Sequence, residues 1–69
     1  MAYKLTNLGE SRALRVGTVK DPENAVLTYL YEEKDSVELE EIAGETHMDD
    51  DVTERVVNRL VGKGYVKEV

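Results

Sequence analysis

The stretch VELEEIAGETHMDDDVTERVVNRLVGKGYVKEV, residues 37 to 69, holds two amphipathic segments joined by a short polar turn and followed by a strand. Apolar side chains recur at helical spacing in both segments, which predicts helices over Leu39–Ala43 and Asp50–Val61. The two stripes consist of Leu39, Ile42 and Ala43, and of Val52, Val56, Val57 and Leu60. Helices this short need a third helix across them, and we expect Ile42 and Leu60 to be fully buried.

Residues at the ends of these segments mark the helix boundaries. Asp49 precedes the second helix, where its carboxylate can cap free amides, and Gly62 and Gly64 follow it. Asp21 before Pro22 is a further helix start, so we predict the third helix over Pro22–Lys34. Its buried stripe is Val26, Leu27 and Leu30.

The strand Tyr65–Val69 has no hairpin partner after it, and unpaired strand backbone is costly. Ala2–Thr6 alternates as a strand does, so we infer that it pairs antiparallel with Tyr65–Val69. Pairing of the same strand across a dimer is the alternative. Between Asn7 and Lys20 the apolar residues keep no sustained period, which indicates a turn or one helical turn and then a connector. Ser36 and Val37 are expected to form a short strand.

Residues 37 to 69 resemble the core of winged helix-turn-helix domains, whose usual form is a short strand, "leeIA", a turn, a helix ending "nrLvekGyv", and the wing. YKLTNLGE, residues 3 to 10, also resembles the final wing strand of MarR-type regulators and the helix entry after it, with Leu5, Thr6 and Gly9 in place. In that family the segment follows the recognition helix, whereas here it opens the chain. The resemblance implies a mainly α fold with a small β-sheet, a three-helix winged helix-turn-helix. Residues 1–20 would form an N-terminal strand and connector, and residues 21–69 the helix-turn-helix core and wing strand, within one domain, 1–69.

Length and composition limit the possible functions. The 69 residues suit one small core, and the chain has no cysteine for disulfides, thiolate zinc sites or thiol nucleophiles. No apolar stretch approaches the ~18 residues that span a membrane, so we expect a cytoplasmic protein. The only histidine, His47, lies in the turn without a cysteine or glycine-rich loop near it. We therefore predict no catalytic site, metal or cofactor.

Charge is unevenly distributed along the chain, whose net charge is −6. Residues 21 to 54 hold thirteen acids and one base, a net −12, while the rest hold eight bases and two acids, a net +6. This separation favours one basic face built from the strands, the connector and the second helix of the motif. The alternative is that both sets are solvated surface residues that keep a small protein soluble.

By the resemblance, Asp50–Val61 is a recognition helix for the major groove of DNA, and the protein a transcriptional regulator. The helix residues predicted to contact DNA are Thr53, Arg55, Asn58 and Arg59. The residues predicted to contact phosphates are Lys4, Arg12, Arg15, Lys20, Lys63 and Lys67. The three carboxylates of residues 49 to 51 would repel phosphate, and we interpret them as capping the helix and complementing its dipole.

Two further partners follow from the same features. The acidic surface of residues 21 to 54 could instead meet a basic protein, which makes a docking module without DNA binding the alternative function. A homodimer is expected if DNA is bound, because one module makes few base contacts.

Overall fold

A computed structural model describes residues 1–17 and 21–69, which form four helices and a three-stranded sheet. In chain order the elements are β1 (Ala2–Leu5), α1 (Asn7–Leu14), α2 (Pro22–Glu33), β2 (Val37–Glu38), α3 (Leu39–Thr46), α4 (Asp50–Gly62) and β3 (Val66–Glu68). The fold is mainly α with a small β-sheet, as the sequence predicted. Within the described ranges, no helix combines the length and the apolar composition that crossing a membrane requires.

The sheet is antiparallel with the strand order β2-β1-β3, so the first strand of the chain lies in its centre. Tyr3 faces Glu68 and Leu5 faces Val66, which confirms the predicted pairing of the N-terminal and C-terminal strands. On its other side, β1 pairs with β2 through Tyr3 and Val37. This second pairing was not predicted, because β2 is only two residues long.

The core lies between α2, the α3–α4 pair and the inner face of the sheet. Val26 and Leu27 of α2 are buried against it, and Ile42 and Leu60 are 0% exposed, which confirms the expectation for both. Tyr3 of β1 is buried, which agrees with the alternation of inward and outward side chains predicted for this strand. The helical and strand periods in the sequence therefore identify most of the buried residues correctly.

Helix α1 was not predicted at its observed length of eight residues. The hydroxyl of Thr6 caps it by accepting from the Gly9 amide at 3.0 Å, and donates to the Gly64 carbonyl at 2.6 Å. Gly9 is the buried residue of the helix, and a Cβ there would collide with the carbonyl oxygen of Tyr65. Because the buried contact is made by a glycine, the helix has no apolar stripe to detect. The predicted three helices are thus four, and residues 18–20 of the connector lie outside the described ranges.

The helix ends follow the sequence signals in part. Asp21 caps α2 as predicted, since its Oδ1 accepts from the Asn24 amide at 2.8 Å. The predicted cap by Asp49 was wrong: its side chain makes no capping bond, and its carbonyl accepts from the Thr53 hydroxyl at 2.9 Å. Asp49 is exposed, so its carboxylate is solvated and needs no bond to the helix. After α4, Gly64 supplies the left-handed residue, at φ +83°, that turns the chain into β3.

Candidate nucleic-acid interface

Helix α4 buries one face and exposes the other. The buried face consists of Thr53, Val56, Val57 and Leu60. Thr53 was predicted to face outward and to contact DNA, which is wrong, since it is 0% exposed. It continues the inner stripe, and its hydroxyl is satisfied by the Asp49 carbonyl, so the polar group can be buried. Val52, expected to face inward, is half-buried at the flank of this stripe.

Arg55 and Asn58, two predicted base-contacting residues, lie together on the outer surface of α4. With Asp51 and Glu54 they line a shallow depression, and both are exposed. The Arg55 Nε donates to the Asp51 carbonyl at 3.5 Å, a long contact that leaves the guanidinium available. Arginine and asparagine can make paired hydrogen bonds to guanine and adenine edges. The two carboxylates beside them would face the same groove.

Arg59, the last predicted residue of the recognition helix, makes a long contact with a carboxylate of α2, which also pairs more closely with Lys63. Its Nη1 lies 3.5 Å from Oε2 of Glu23, and the Nζ of Lys63 lies 2.8 Å from Oε1 of the same side chain. Glu23 is only 24% exposed, whereas Arg59 and Lys63 are 61% and 48% exposed. We call these three residues the Glu23 cluster. In this cluster Glu23 pairs with two of the cations that the sequence predicted to contact DNA.

Lys4 and Lys67 lie directly opposite each other on the outer face of the sheet, where β1 pairs with β3. Both are exposed, and within the described parts of the chain neither forms an ion pair or a side-chain hydrogen bond. We call these two residues the lysine pair. Two like charges at directly opposed positions repel each other and destabilise the sheet. The lysine pair can therefore bind an anion.

The two predicted arginines of the N-terminal region lie on or just after α1. Arg12 is half-buried and Arg15 is exposed. Neither makes an ion pair with another described residue. Helix α1 starts beside the turn after α4, because Thr6 bonds to Gly64 and Gly9 packs on Tyr65. Lys20, the remaining predicted phosphate contact, lies outside the described residues.

Acidic side chains gather mainly around α2 and α3. Burial raises the pKa of the Tyr29 hydroxyl, and Glu33, Glu45 and Glu41 raise it further. Burial likewise raises the pKa of Tyr3, with smaller contributions from Glu68 and Glu54. Glu33, Glu41 and Glu45 are exposed and each raises the pKa of Tyr29, and we call these three residues the acidic surface around Tyr29. Glu68 and Glu54 act on Tyr3 in the same way.

The predicted basic residues thus differ in their surroundings. The lysine pair lies on the sheet, Arg55 lies on the outer surface of α4, and Arg59 and Lys63 belong to the Glu23 cluster. The sequence predicted no functional role for Glu23. It lies 36 and 40 residues before its partners, so no local spacing could show the contact.

No family model, no curated protein and no solved structure matches this chain. Functional interpretation therefore depends on the geometry of these groups and on the sequence resemblance of residues 37 to 69. The geometry offers a surface for anions at the sheet and an acidic surface around Tyr29.

Proposed function

We propose that the protein is a small winged helix-turn-helix protein that binds duplex DNA in the cytoplasm and regulates transcription. The lysine pair is the observation that carries this proposal. Lys4 and Lys67 are exposed, directly opposed and without partners among the described residues. A phosphate backbone would relieve their repulsion and release condensed counterions.

The distribution of charged side chains along α4 determines how the duplex would lie. Its first half carries the exposed acids Asp50, Asp51 and Glu54, whereas Arg55 and Asn58 come later and β3 with Lys67 follows. Phosphates are repelled by the first half and attracted by the second. The duplex therefore runs along the C-terminal half of α4 and the outer face of the sheet. This differs from the usual arrangement, in which the N-terminal end of the recognition helix contacts bases.

The sheet supports the winged-helix interpretation. After the helix pair, β3 needs a partner strand, and β1 takes that place from the beginning of the chain. Met1 and Val69 are consequently neighbours, since the Val69 amide donates to the Ala2 carbonyl at 2.9 Å. In this proposal the sheet serves as the wing, and the protein has no catalytic role, metal or cofactor.

A dimer is part of the proposal, because one module provides few base contacts. Helix α1 offers apolar surface for such an interface, since Leu8 is 57% exposed and Leu14 is 67% exposed. Sedimentation at micromolar concentration with and without DNA tests this. A strict monomer in both conditions would contradict the dimer.

A protein-docking module is the second candidate, favoured by the acidic surface around Tyr29. Glu33 of α2 and Glu41 and Glu45 of α3 are exposed, and each raises the pKa of that side chain. Such a surface suits a basic protein partner and would be repelled by DNA. This function needs no duplex.

Fluorescence anisotropy with a mixed-sequence duplex at low and moderate salt separates the two candidates. The wild type should bind at low salt and weaken steeply as salt rises. Replacing Asp49, Asp50 and Asp51 together by Asn should tighten binding, with a stability cost of about 0.3–1 kcal/mol per removed charge at the helix N-terminus. If neither protein binds duplex DNA at low salt, the docking function replaces the DNA-binding one.

A further inference from the structure

We propose that a cleft at the open edge of β1 binds an α-amino acid with an apolar side chain. The cleft has a volume of about 370 Å³, at the small end of the range for ligand sites. Its lining residues are Lys4, Leu5, Glu10, Leu30, Tyr31 and Lys34. We call it the edge cleft. Nothing in this proposal depends on DNA binding.

The cleft exists because β2 is shorter than β1. Pairing between these strands includes only Ala2 and Tyr3 of β1, so no strand of the described residues pairs with Leu5 on that side. On the other side, the Thr6 amide donates to Tyr65 and the Ala2 carbonyl accepts from Val69. Backbone groups alternate in direction along a strand, so those of Leu5 point away from β3 and toward the cleft. Leu5 is 6% exposed, so its amide is a fixed donor in a sheltered position.

Two cations line the cleft together with Leu5. Lys4 comes from β1, and Lys34 comes from the end of α2, where its backbone is left-handed at φ +64°. Neither makes an ion pair with another residue in the described ranges. A carboxylate bound here would accept hydrogen bonds from the Leu5 amide and from one or both lysine ammonium groups. Such charge-assisted hydrogen bonds are strong.

The cleft also contains a place for a positive charge. Glu10 of α1 lines it and has no cationic partner among the described residues. The C-terminal end of α2, at Tyr31 to Lys34, adds the negative end of a helix dipole. A simple anion would be repelled by both features, whereas the ammonium group of an amino acid is attracted by them. The ligand is therefore a zwitterion rather than a carboxylic acid alone.

Apolar surface is available between the two charged ends. Leu30 and Leu5 are 2% and 6% exposed and form the floor. Tyr31 is 38% exposed and lines the cleft beside them. An aliphatic or aromatic side chain placed there would bury its surface on the leucines and against the tyrosine ring. The three parts of the cleft match the three parts of an apolar amino acid.

A chemical-shift titration of the ¹⁵N-labelled full chain with L-phenylalanine tests the proposal. Saturable shifts are expected at the amides of Leu5, Tyr31 and Lys34. Two analogues are matched controls: phenylalaninamide lacks the carboxylate, and 3-phenylpropanoate lacks the ammonium group. Each should bind at least roughly fivefold more weakly, as expected for loss of a charge-assisted hydrogen bond. Equal binding of either analogue, or no saturation up to about 10 mM phenylalanine, would overturn the proposal.

Two variants locate the site. Lys34→Asn removes the cation and keeps a residue that tolerates the left-handed helix end, so the fold should persist while phenylalanine binding weakens at least about fivefold. Glu10→Gln should weaken phenylalanine binding but strengthen 3-phenylpropanoate binding, because it removes a charge that attracts the ammonium group and repels a simple anion. Glu32→Gln makes the same chemical change on an exposed residue outside the cleft and should leave phenylalanine binding within roughly twofold of wild type. Binding that survives both Lys34→Asn and Glu10→Gln contradicts the edge cleft as the site.

Discussion

Lys4 of β1 lies directly opposite Lys67 of β3 on the exposed face of the sheet. Opposed like charges in an antiparallel pair destabilise the sheet. A domain of this size has little stability to lose, because it buries only about 60% of the surface that its extended chain exposes. The arrangement is unfavourable for the isolated fold and favourable for contact with phosphate.

Reversing the charge at Lys67 should therefore change stability and DNA binding in opposite directions. Lys67→Glu places a carboxylate opposite Lys4, which should raise the free energy of unfolding by about 0.2–1 kcal/mol. The same change should weaken binding to every duplex sequence. Urea denaturation and anisotropy measure the two effects, and Lys67→Gln should fall between wild type and Lys67→Glu in both. Loss of stability in Lys67→Glu, or unchanged DNA affinity, would count against the role of the lysine pair.

Removing the carboxylate of Glu23 should release Arg59 and Lys63. Glu23→Gln keeps the side-chain shape but ends both ion pairs, and exposed pairs of this kind contribute about 0–1 kcal/mol to stability. The free energy of unfolding should therefore change by no more than this amount. Duplex binding should tighten, and the dependence of log binding constant on log salt concentration should steepen by about one to two. Glu32→Gln removes the same charge from an exposed position of α2 and is the matched control. If both variants tighten binding equally, net charge and not the Glu23 cluster explains the effect.

Gly9 should be the glycine least tolerant of substitution. A Cβ there would meet the Tyr65 carbonyl oxygen and lie 2.8 Å from its carbon, so α1 would have to move away from the turn before β3. We expect Gly9→Ala to lower the free energy of unfolding by about 1–3 kcal/mol. Gly44→Ala is the control, because a Cβ at that helical position meets nothing, and it should stabilise by up to about 1 kcal/mol. Comparable thermal stability of the two variants would show that the close packing at Gly9 does not matter.

Stability should fall at alkaline pH in part through Tyr3. Burial, then Glu68 and Glu54, raise the pKa of Tyr3 above its ordinary value of 10.0. The unfolded chain thus loses this proton first as pH rises, so the folded state binds more protons and its stability decreases above about pH 10. Tyr3→Phe should remove this contribution, which makes the variant less sensitive than wild type between neutral pH and about pH 11. Parallel stability curves for the two proteins over that range would contradict the burial of the Tyr3 hydroxyl group.

Sequence reasoning succeeded where a periodic apolar pattern or an unpaired element constrained the answer. The unpartnered strand at residues 65–69 led to the pairing with β1, and the stripes identified the burial of Ile42 and Leu60. It failed where the deciding contact is not apolar. Helix α1 packs through Gly9, which has no side chain to contribute to a period. Thr53 was assigned to the outer face because Val52, Val56 and Leu60 were expected to face inward. It is buried instead, and a backbone carbonyl satisfies its hydroxyl.

The sequence predicted which types of residue would be exposed at the candidate interface, but not the contacts that they make. Arg55 and Asn58 lie exposed as expected, but the sequence could not show that Glu23 would hold Arg59 and Lys63. Long-range ion pairs depend on the helix arrangement and leave no local pattern. The opposition of Lys4 and Lys67 likewise depends on strand register, which only the observed pairing determines.

The most direct test of DNA binding through the lysine pair is a chemical-shift titration of the ¹⁵N-labelled protein with a mixed-sequence duplex at low salt. We expect progressive shifts at the amides of Lys4, Asn58 and Lys67, with little change around Tyr29 and α3, and loss of the shifts as salt is raised. An unchanged spectrum, or shifts confined to the acidic surface around Tyr29, would contradict DNA binding by this face of the protein.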